Sequence, residues 1–381
     1  MRAARPRAYQ WPSRCLASTV AGRLGPGGIM IVPKRSYRSI QGLRAIAAWM
    51  VVLGHAVIEA NALSGQNTLM PLRPYTDVIC HFGVDIFFAI SGAIMYLITQ
   101  PRQDAGRIAD AGRFTLRRVL RILPLFWLSM ILTLWTGRGT PPPDVWAWTR
   151  QLFLIDFPLP QPVGWTLVFE IRFYVLVAVI VMIFRNRKLG FAAMAVFLVL
   201  VSQVWPTAET MTSPIMLEFV MGIAVAALCQ SGIRLPASLL LLGAVGWFLY
   251  ASIWLYPTME INAFRWYGFG PPAALFLCAA MMLERDGKLR TPSLALAAGN
   301  ASYSTYLWHL GLIGVLSSFW SRSPLASVVH LFTLLFLTAV VSAVSYRLIE
   351  RPLIVLSKRR LESGELHGAL KTGLPQRLRS G

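Results

Sequence analysis

Ten apolar stretches, each close to the length of a bilayer crossing, limit what this chain can fold into more than any other feature. They fall at 40–60, 78–99, 115–136, 163–184, 189–205, 212–230, 236–256, 265–284, 294–318 and 325–349. A transmembrane helix needs about 17–25 mostly apolar residues. Inside lipid the backbone must satisfy its own hydrogen bonds, so such stretches are read as helices. Composition argues against a soluble core of the same helices. The chain is 56% hydrophobic and 14% charged, against about 25% charged in an ordinary soluble domain. The expected fold class is therefore an all-α integral membrane protein with about ten transmembrane helices.

The formal net charge is +20, from 36 Lys+Arg against 16 Asp+Glu. A nucleic-acid binder would set such charge on a polar face. This sequence has no such domain, so no nucleic-acid partner is expected. Placing both termini in the cytoplasm puts 30 of the 36 basic residues on that side, as the positive-inside rule requires. The six left over are Arg73, Arg138, Arg150, Arg172, Arg265 and Arg322. Residues 1–38 are rich in Arg, Pro, Gly and Ser and lack the apolar core of a signal peptide. They read as a disordered basic tail, with Met30 an alternative start. Residues 39–352 form the membrane domain, and 353–381 a second basic tail attracted to anionic membrane lipids. In the connection 137–162, Asp144 follows three prolines and reads as a helix start. Trp146 and Trp148 beyond it suit interfacial anchors, with sugar-stacking platforms as the alternative. Cys15, Cys80, Cys229 and Cys278 are far apart and form no CxxC pair, so neither a disulfide framework nor a metal site is indicated. There is no internal repeat, P-loop or glycine-rich nucleotide fingerprint.

Ionisable side chains at bilayer depth cost about 2.5–3.5 kcal/mol on insertion scales and mark function by default. In the first helix Arg44 and His55 are eleven residues apart, so they share a face with a rise of about 16 Å between them. An isolated intramembrane histidine is commonly a structural hydrogen-bonder; the arginine on its stripe adds catalysis or transport as readings. The second helix carries His81 and Asp85, and Asp85 needs an arginine or histidine partner. Ser91 and Gly92 suit close helix contact. In the third helix Arg117 and Arg121 lie on one face, Arg118 reads as an anchor, and Pro124 interrupts the hydrogen-bond ladder. A paired arginine face suits a phosphorylated ligand entering from the cytoplasm. Glu170 and Arg172 point to different sides of the fourth helix, so Glu170 meets another helix. Glu218 and Glu284 lie nearer helix ends and read as structural, as does Glu350 among its arginines. The ninth stretch opens with Ser302, Tyr303, Ser304 and Tyr306 and carries a further imidazole, His309.

In order along the chain, Arg44…His55, Val84-Asp85-Ile86-Phe87-Phe88 with Ser91-Gly92, Arg117…Arg121-Ile122-Leu123-Pro124, Trp165-Thr166-Leu167…Glu170…Phe173-Tyr174 and Ser302-Tyr303-Ser304…Tyr306-Leu307…His309 resemble the acyltransferase 3 family. These are bacterial multi-span membrane acyltransferases that modify surface polysaccharides. The resemblance covers roughly residues 37–352. Leu217-Glu218-Phe219…Gly222 and Arg265…Gly268…Gly270-Pro271-Pro272 look like its exopolysaccharide-production branch. Arg172 departs from the pattern, since the family is more often uncharged there.

The resemblance implies a multi-pass protein of the bacterial inner membrane that moves an acyl group, usually acetyl, from cytoplasmic acetyl-CoA to a sugar hydroxyl. CoA thioester is then a co-substrate, with no permanently bound cofactor. The acceptor is a polysaccharide or lipid-linked glycan, and any esterase-like or export step needs a separate protein. A sugar hydroxyl needs a general base near pKa 7, and His55 is assigned that role. Glu170 or Asp85 would orient its ring, and transfer would run directly or through an acyl-histidine. Arg44, Arg117 and Arg121 would hold the CoA phosphates. Trp165, Ser302, Tyr303, Tyr306 and His309 complete the candidate set as substrate-binding residues. The competing readings are a transporter or flippase for a lipid-linked sugar or anion, and a non-catalytic part of a polysaccharide export complex.

Overall fold

The computed structural model describes residues 37–64, 69–99, 106–204, 213–319 and 324–357. Among these residues every regular element is helical: α1 (Arg38–Ser64), α2 (Arg73–Ile98), α3 (Arg107–Trp135), α4 (Val145–Leu152), α5 (Trp165–Ile183), α6 (Arg187–Val204), α7 (Met216–Gln230), α8 (Ala237–Tyr250), α9 (Ile261–Gly268), α10 (Gly270–Arg285), α11 (Ser293–Asn300), α12 (Ser302–Ser317) and α13 (Pro324–Ser345). The expected N-terminal tail, with Met30, and the end of the C-terminal one lie outside the described residues. The last helix continues through a π turn at Tyr346–Glu350 as far as Ser357.

Eight of the described helices are long and apolar enough to cross a membrane. Two of the ten apolar stretches fold otherwise than as full-length spans. Residues 212–230 supply only the shorter α7, and 294–318 is divided at Ala301 into α11 and α12. In α8 only Ala244 is buried, while Leu239 and Leu242 are exposed. An apolar surface of that kind belongs against lipid. By contrast α2 is enclosed on almost every side, with buried residues from Thr76 to Tyr96.

Close approach at the centre depends on two glycines. A Cβ on Gly92 would overlap the Phe219 carbonyl, and one on Gly222 would overlap the Ala89 carbonyl. The α2–α7 crossing therefore brings backbone against backbone, as small residues allow between membrane helices.

Contacts at the helix ends sort the basic residues. Glu284 at the end of α10 accepts hydrogen bonds from the Arg38 (2.8 Å) and Ser39 (2.7 Å) N–H groups that start α1. Arg107 at the start of α3 donates to the Ile183 carbonyl that ends α5 (2.8 Å). Arg285 donates to Ile233 in the α7–α8 connection (2.9 Å). These elements form one basic end of the bundle. At the opposite end Arg138, beyond α3, pairs with Glu59 of α1 (2.5 and 2.8 Å), and Ser317 of α12 donates to the same carboxylate (2.7 Å). There α4 begins at Asp144 as expected, with the Asp144 carboxylate accepting from the Ala147 N–H (2.7 Å).

Candidate functional site

Toward the basic end, α1, α2, α3, α5 and α12 enclose a slot of about 80 Å³. Arg44, Arg118 and Arg121 reach it, with Glu170, Ser302 and Tyr303. Apolar side chains of α2, among them Phe87, Phe88 and Ile94, line its length. Arg44 is buried, its one side-chain hydrogen bond among the described residues a long 3.5 Å contact to Gln41. Arg118 lies over the rings of Phe114 (5.7 Å) and Tyr174 (5.3 Å). Among the described residues none of the three guanidinium groups is within ion-pair distance of a carboxylate. Glu350 attracts Arg121 and Arg44 from farther off and is fixed by the Ser304 hydroxyl (2.9 Å). Glu170 is held inside its own corner, accepting from Ser91 (3.1 Å) and from Tyr174. Three cations and one carboxylate, Glu170, therefore line the slot, with Glu350 acting from farther off. The Ser302 hydroxyl is buried and makes no hydrogen bond. Tyr303 spends its donor on the Ile122 carbonyl (2.8 Å), which ties α12 to α3.

The slot corrects two expectations. Arg117 does not line it; Arg118 does. On a helix both 117/121 and 118/121 are same-face spacings, and only the rotation of α3 against its neighbours decides between them. Ser91, read as a packing residue, is a hydrogen-bond donor to Glu170, and so is Tyr174. The one available signal was that Tyr174 lies four residues after it.

His55 lines neither this slot nor the cavity described next. Its Nδ1 lies 3.0 Å from the Val51 carbonyl and 3.8 Å from the Cys80 sulfur. A carbonyl only accepts, so Nδ1 carries the proton and Nε2 the lone pair. The expected orientation of this ring by Glu170 or Asp85 is not what the structure has. Glu170 is bound by Ser91 and Tyr174, and the backbone turn below His55 sets its tautomer. His309 is fully buried with its ring centroid 5.1 Å from that of His55 and 6.0 Å from that of Tyr306. Tyr306 in turn lines the slot, donates to the Val163 carbonyl (2.7 Å) and accepts from Thr166 (2.8 Å). The imidazole pair therefore adjoins the slot through one tyrosine. Glu59, one turn beyond His55, was missed in the sequence despite its i,i+4 spacing.

Asp85 has the arginine partner it needs. Arg265 of α9 donates to it at 2.5 Å and to the His81 carbonyl at 2.9 Å, and both side chains are buried. Arg265 is thus no outside anchor. Glu218, also wholly buried, lies beside Asp85. Arg265 also stacks on Trp165 (5.1 Å) and reaches a second, larger cavity of about 620 Å³. Its walls include His81, Phe157, Trp165, Phe169 and Trp266. Trp165, a candidate substrate residue, belongs here and not to the slot. Arg172 does not meet Glu170; it lies over Phe157 (5.4 Å) and Phe169 (5.7 Å). Among the described residues no three His, Cys, Asp or Glu side chains are placed to hold a metal ion.

Comparison with known proteins agrees with this architecture. No solved structure matches the chain. It is 29% identical to the exopolysaccharide production protein ExoZ of Rhizobium meliloti (strain 1021), over 75% of this chain and 93% of that protein. It is 26% identical to YrhL of Bacillus subtilis (strain 168), named as a candidate peptidoglycan O-acetyltransferase, over 82% of this chain and 54% of the relative. It is also 26% identical to BcsY of Komagataeibacter xylinus, named as a candidate membrane-bound transacylase, over 84% and 83%. The model of the acyltransferase 3 domain matches residues 37–347. The chain is a multi-pass membrane acyltransferase and belongs to the acyltransferase 3 family.

Proposed function

We propose that the protein moves an acyl group, acetyl in the simplest case, from cytoplasmic acyl-CoA to a hydroxyl of a polysaccharide or lipid-linked glycan at the outer face of the bacterial inner membrane. The observation that carries this reading is the slot. Three guanidinium groups without ion-paired carboxylates stand at its wall, and apolar α2 side chains line its length. That pattern suits a polyanion whose thin arm enters the protein while its phosphates stay with the arginines. The slot admits such an arm but not a nucleotide. The ExoZ and YrhL names support a glycan acceptor.

In the reaction the acceptor oxygen attacks the thioester carbonyl carbon and the C–S bond breaks. The hydroxyl proton goes to Nε2 of His55, the ring atom left free by the Val51 contact, and from there to the departing thiolate. Glu170 acts from the slot wall, where Ser91 and Tyr174 hold it, and not as the orienting partner of His55.

Purified protein in lipid, given radiolabelled acetyl-CoA and envelope polysaccharide, should place label on glycan and release free CoA. Unlabelled glycan would sink the reading. If His55→Ala, expressed at wild-type level, still labels glycan, the base is elsewhere.

A further inference from the structure

We propose that the aromatic cavity is the acceptor-sugar site, built for a neutral, hydroxyl-rich sugar, and that His81 is the side chain there that accepts a sugar hydroxyl's hydrogen bond. The assignment rests on the acyl-transfer reading above. Size comes first. At about 620 Å³ the cavity falls within the 300–1,000 Å³ typical of small-molecule sites, and it is far roomier than the slot.

Its chemistry fits a sugar. Phe157, Trp165, Phe169 and Trp266 line it, an aromatic wall that suits the C–H faces of a pyranose. His81 bonds the Asp77 carbonyl through Nδ1 at 2.8 Å. That carbonyl can only accept, so Nε2 holds a lone pair for a hydroxyl donor. Arg265 is 3% exposed and committed to Asp85 and to the His81 carbonyl. Among the described residues that line the cavity Arg265 is the one cation, and it is matched by Asp85, with Glu218 beside that pair. This is the opposite of the slot. The walls are fixed in advance, since Gln161 is fully buried and donates to the Leu307 carbonyl (2.8 Å), pinning the connection before Trp165.

Placement points the same way. Phe88 lines the slot and meets Trp165 (6.2 Å) and Phe169 (6.4 Å) edge-on, and those two rings line the cavity. One layer of aromatic rings therefore divides the two spaces. His55 touches Cys80, the neighbour of His81, so the proposed base and the cavity lie at one depth.

The test uses full-length protein in lipid and oligosaccharides cut from the producing strain's envelope polysaccharide. Trp266→Ala should raise the acceptor KM about tenfold and leave the acetyl-CoA KM unchanged. His81→Phe should lower acceptor kcat/KM by a similar factor, with partial rescue in His81→Gln, whose amide oxygen also accepts. In a third variant, Ile261→Cys at the cavity rim, the oligosaccharides should slow reaction with a membrane-impermeant maleimide. Unchanged acceptor KM in Trp266→Ala together with unprotected Ile261→Cys would overturn the site. An unaffected His81→Phe would overturn the role of His81. Protection of the cysteine without label transfer by the wild type would instead defeat the acyl-transfer reading and leave the sugar site standing.

Discussion

Arg117 and Arg118 are adjacent on α3 and carry the same charge, yet only Arg118 lines the slot. That contrast makes Arg118→Gln and Arg117→Gln a matched pair. Arg118 lines the slot and rests on two aromatic rings with no carboxylate at ion-pair distance among the described residues, so its guanidinium keeps its capacity for an anion. A hydrogen bond to a charged group contributes about 1.5–3 kcal/mol, which corresponds to roughly a 10- to 150-fold weaker Kd for acetyl-CoA when it is lost. Arg117→Gln removes only a charge acting from outside the slot. Pairs acting at such a distance contribute up to about 1 kcal/mol, or roughly fivefold, and salt near 0.15 M screens them beyond about 8 Å. The assay is calorimetric titration of acetyl-CoA into purified protein in lipid at two salt concentrations. Arg118→Gln should lose affinity at both, and Arg117→Gln should lose little and only at low salt. Thermal unfolding runs alongside, because losing the stacking on Phe114 and Tyr174 costs about 1 kcal/mol of stability by itself. Equal affinity losses in the two variants would refute the placement of the donor phosphates at this slot.

Three further outcomes follow from the same contacts. Tyr174→Phe removes one of the two donors to Glu170; it should lower kcat/KM for acetyl-CoA about tenfold with the circular dichroism spectrum unchanged, and full activity would show that Glu170 needs no such clamp. Arg265→Met strands Asp85 beside Glu218 at a cost of about 3–5 kcal/mol; the melting temperature should fall steeply and recover in part in the Asp85→Asn/Arg265→Met double variant, and a stable single variant would contradict the pairing. Gly92→Ala forces a Cβ into the Phe219 carbonyl and should cost about 1–3 kcal/mol, read as lost monodisperse protein in detergent, whereas Gly106→Ala, which meets nothing within 4 Å, should behave as wild type.

What was legible in the sequence is what depends on one helix at a time. Span length, the Asp144 start and the i,i+4 placement of Arg117 and Arg121 all follow from periodicity and apolarity. Residues such as Arg44, Arg121, Glu170, Ser302, Tyr303 and Tyr306 were also identified, and the structure brings them to one slot. What depends on how two helices turn toward each other was not legible. Arg118 and Arg117 differ by about 100° around α3, and no local property says which faces inward. Arg265 looked like an external basic residue because its partner lies 180 positions away. His55 and Glu170 looked like a pair because both are polar groups in apolar helices; each instead closes a hydrogen bond nearer home, to Val51 and to Tyr174.

The two central helices carry the same distance in opposite directions, and this links the slot to the imidazoles. On α1, Arg44 and His55 are eleven residues apart, a rise of about 16 Å. The neighbouring α2 runs antiparallel, since Gly83 packs on Ala47 and Gly54 on Cys80. From Ser91, which lines the slot, to His81, which lines the cavity, α2 has ten residues and a rise of about 15 Å. Both helices therefore separate the slot with its arginines from an imidazole by three turns. On the proposed reading, a donor held by its phosphates at Arg118 and Arg121 would deliver an acyl group to the imidazole level only through an extended arm. Between Phe87 and Ser91, the apolar Phe88 and Ile90 line the slot that such an arm would enter. On the proposed reading the polyanion and the sugar would never share a compartment, and a fold with two such spaces would bring only the thioester and one hydroxyl together.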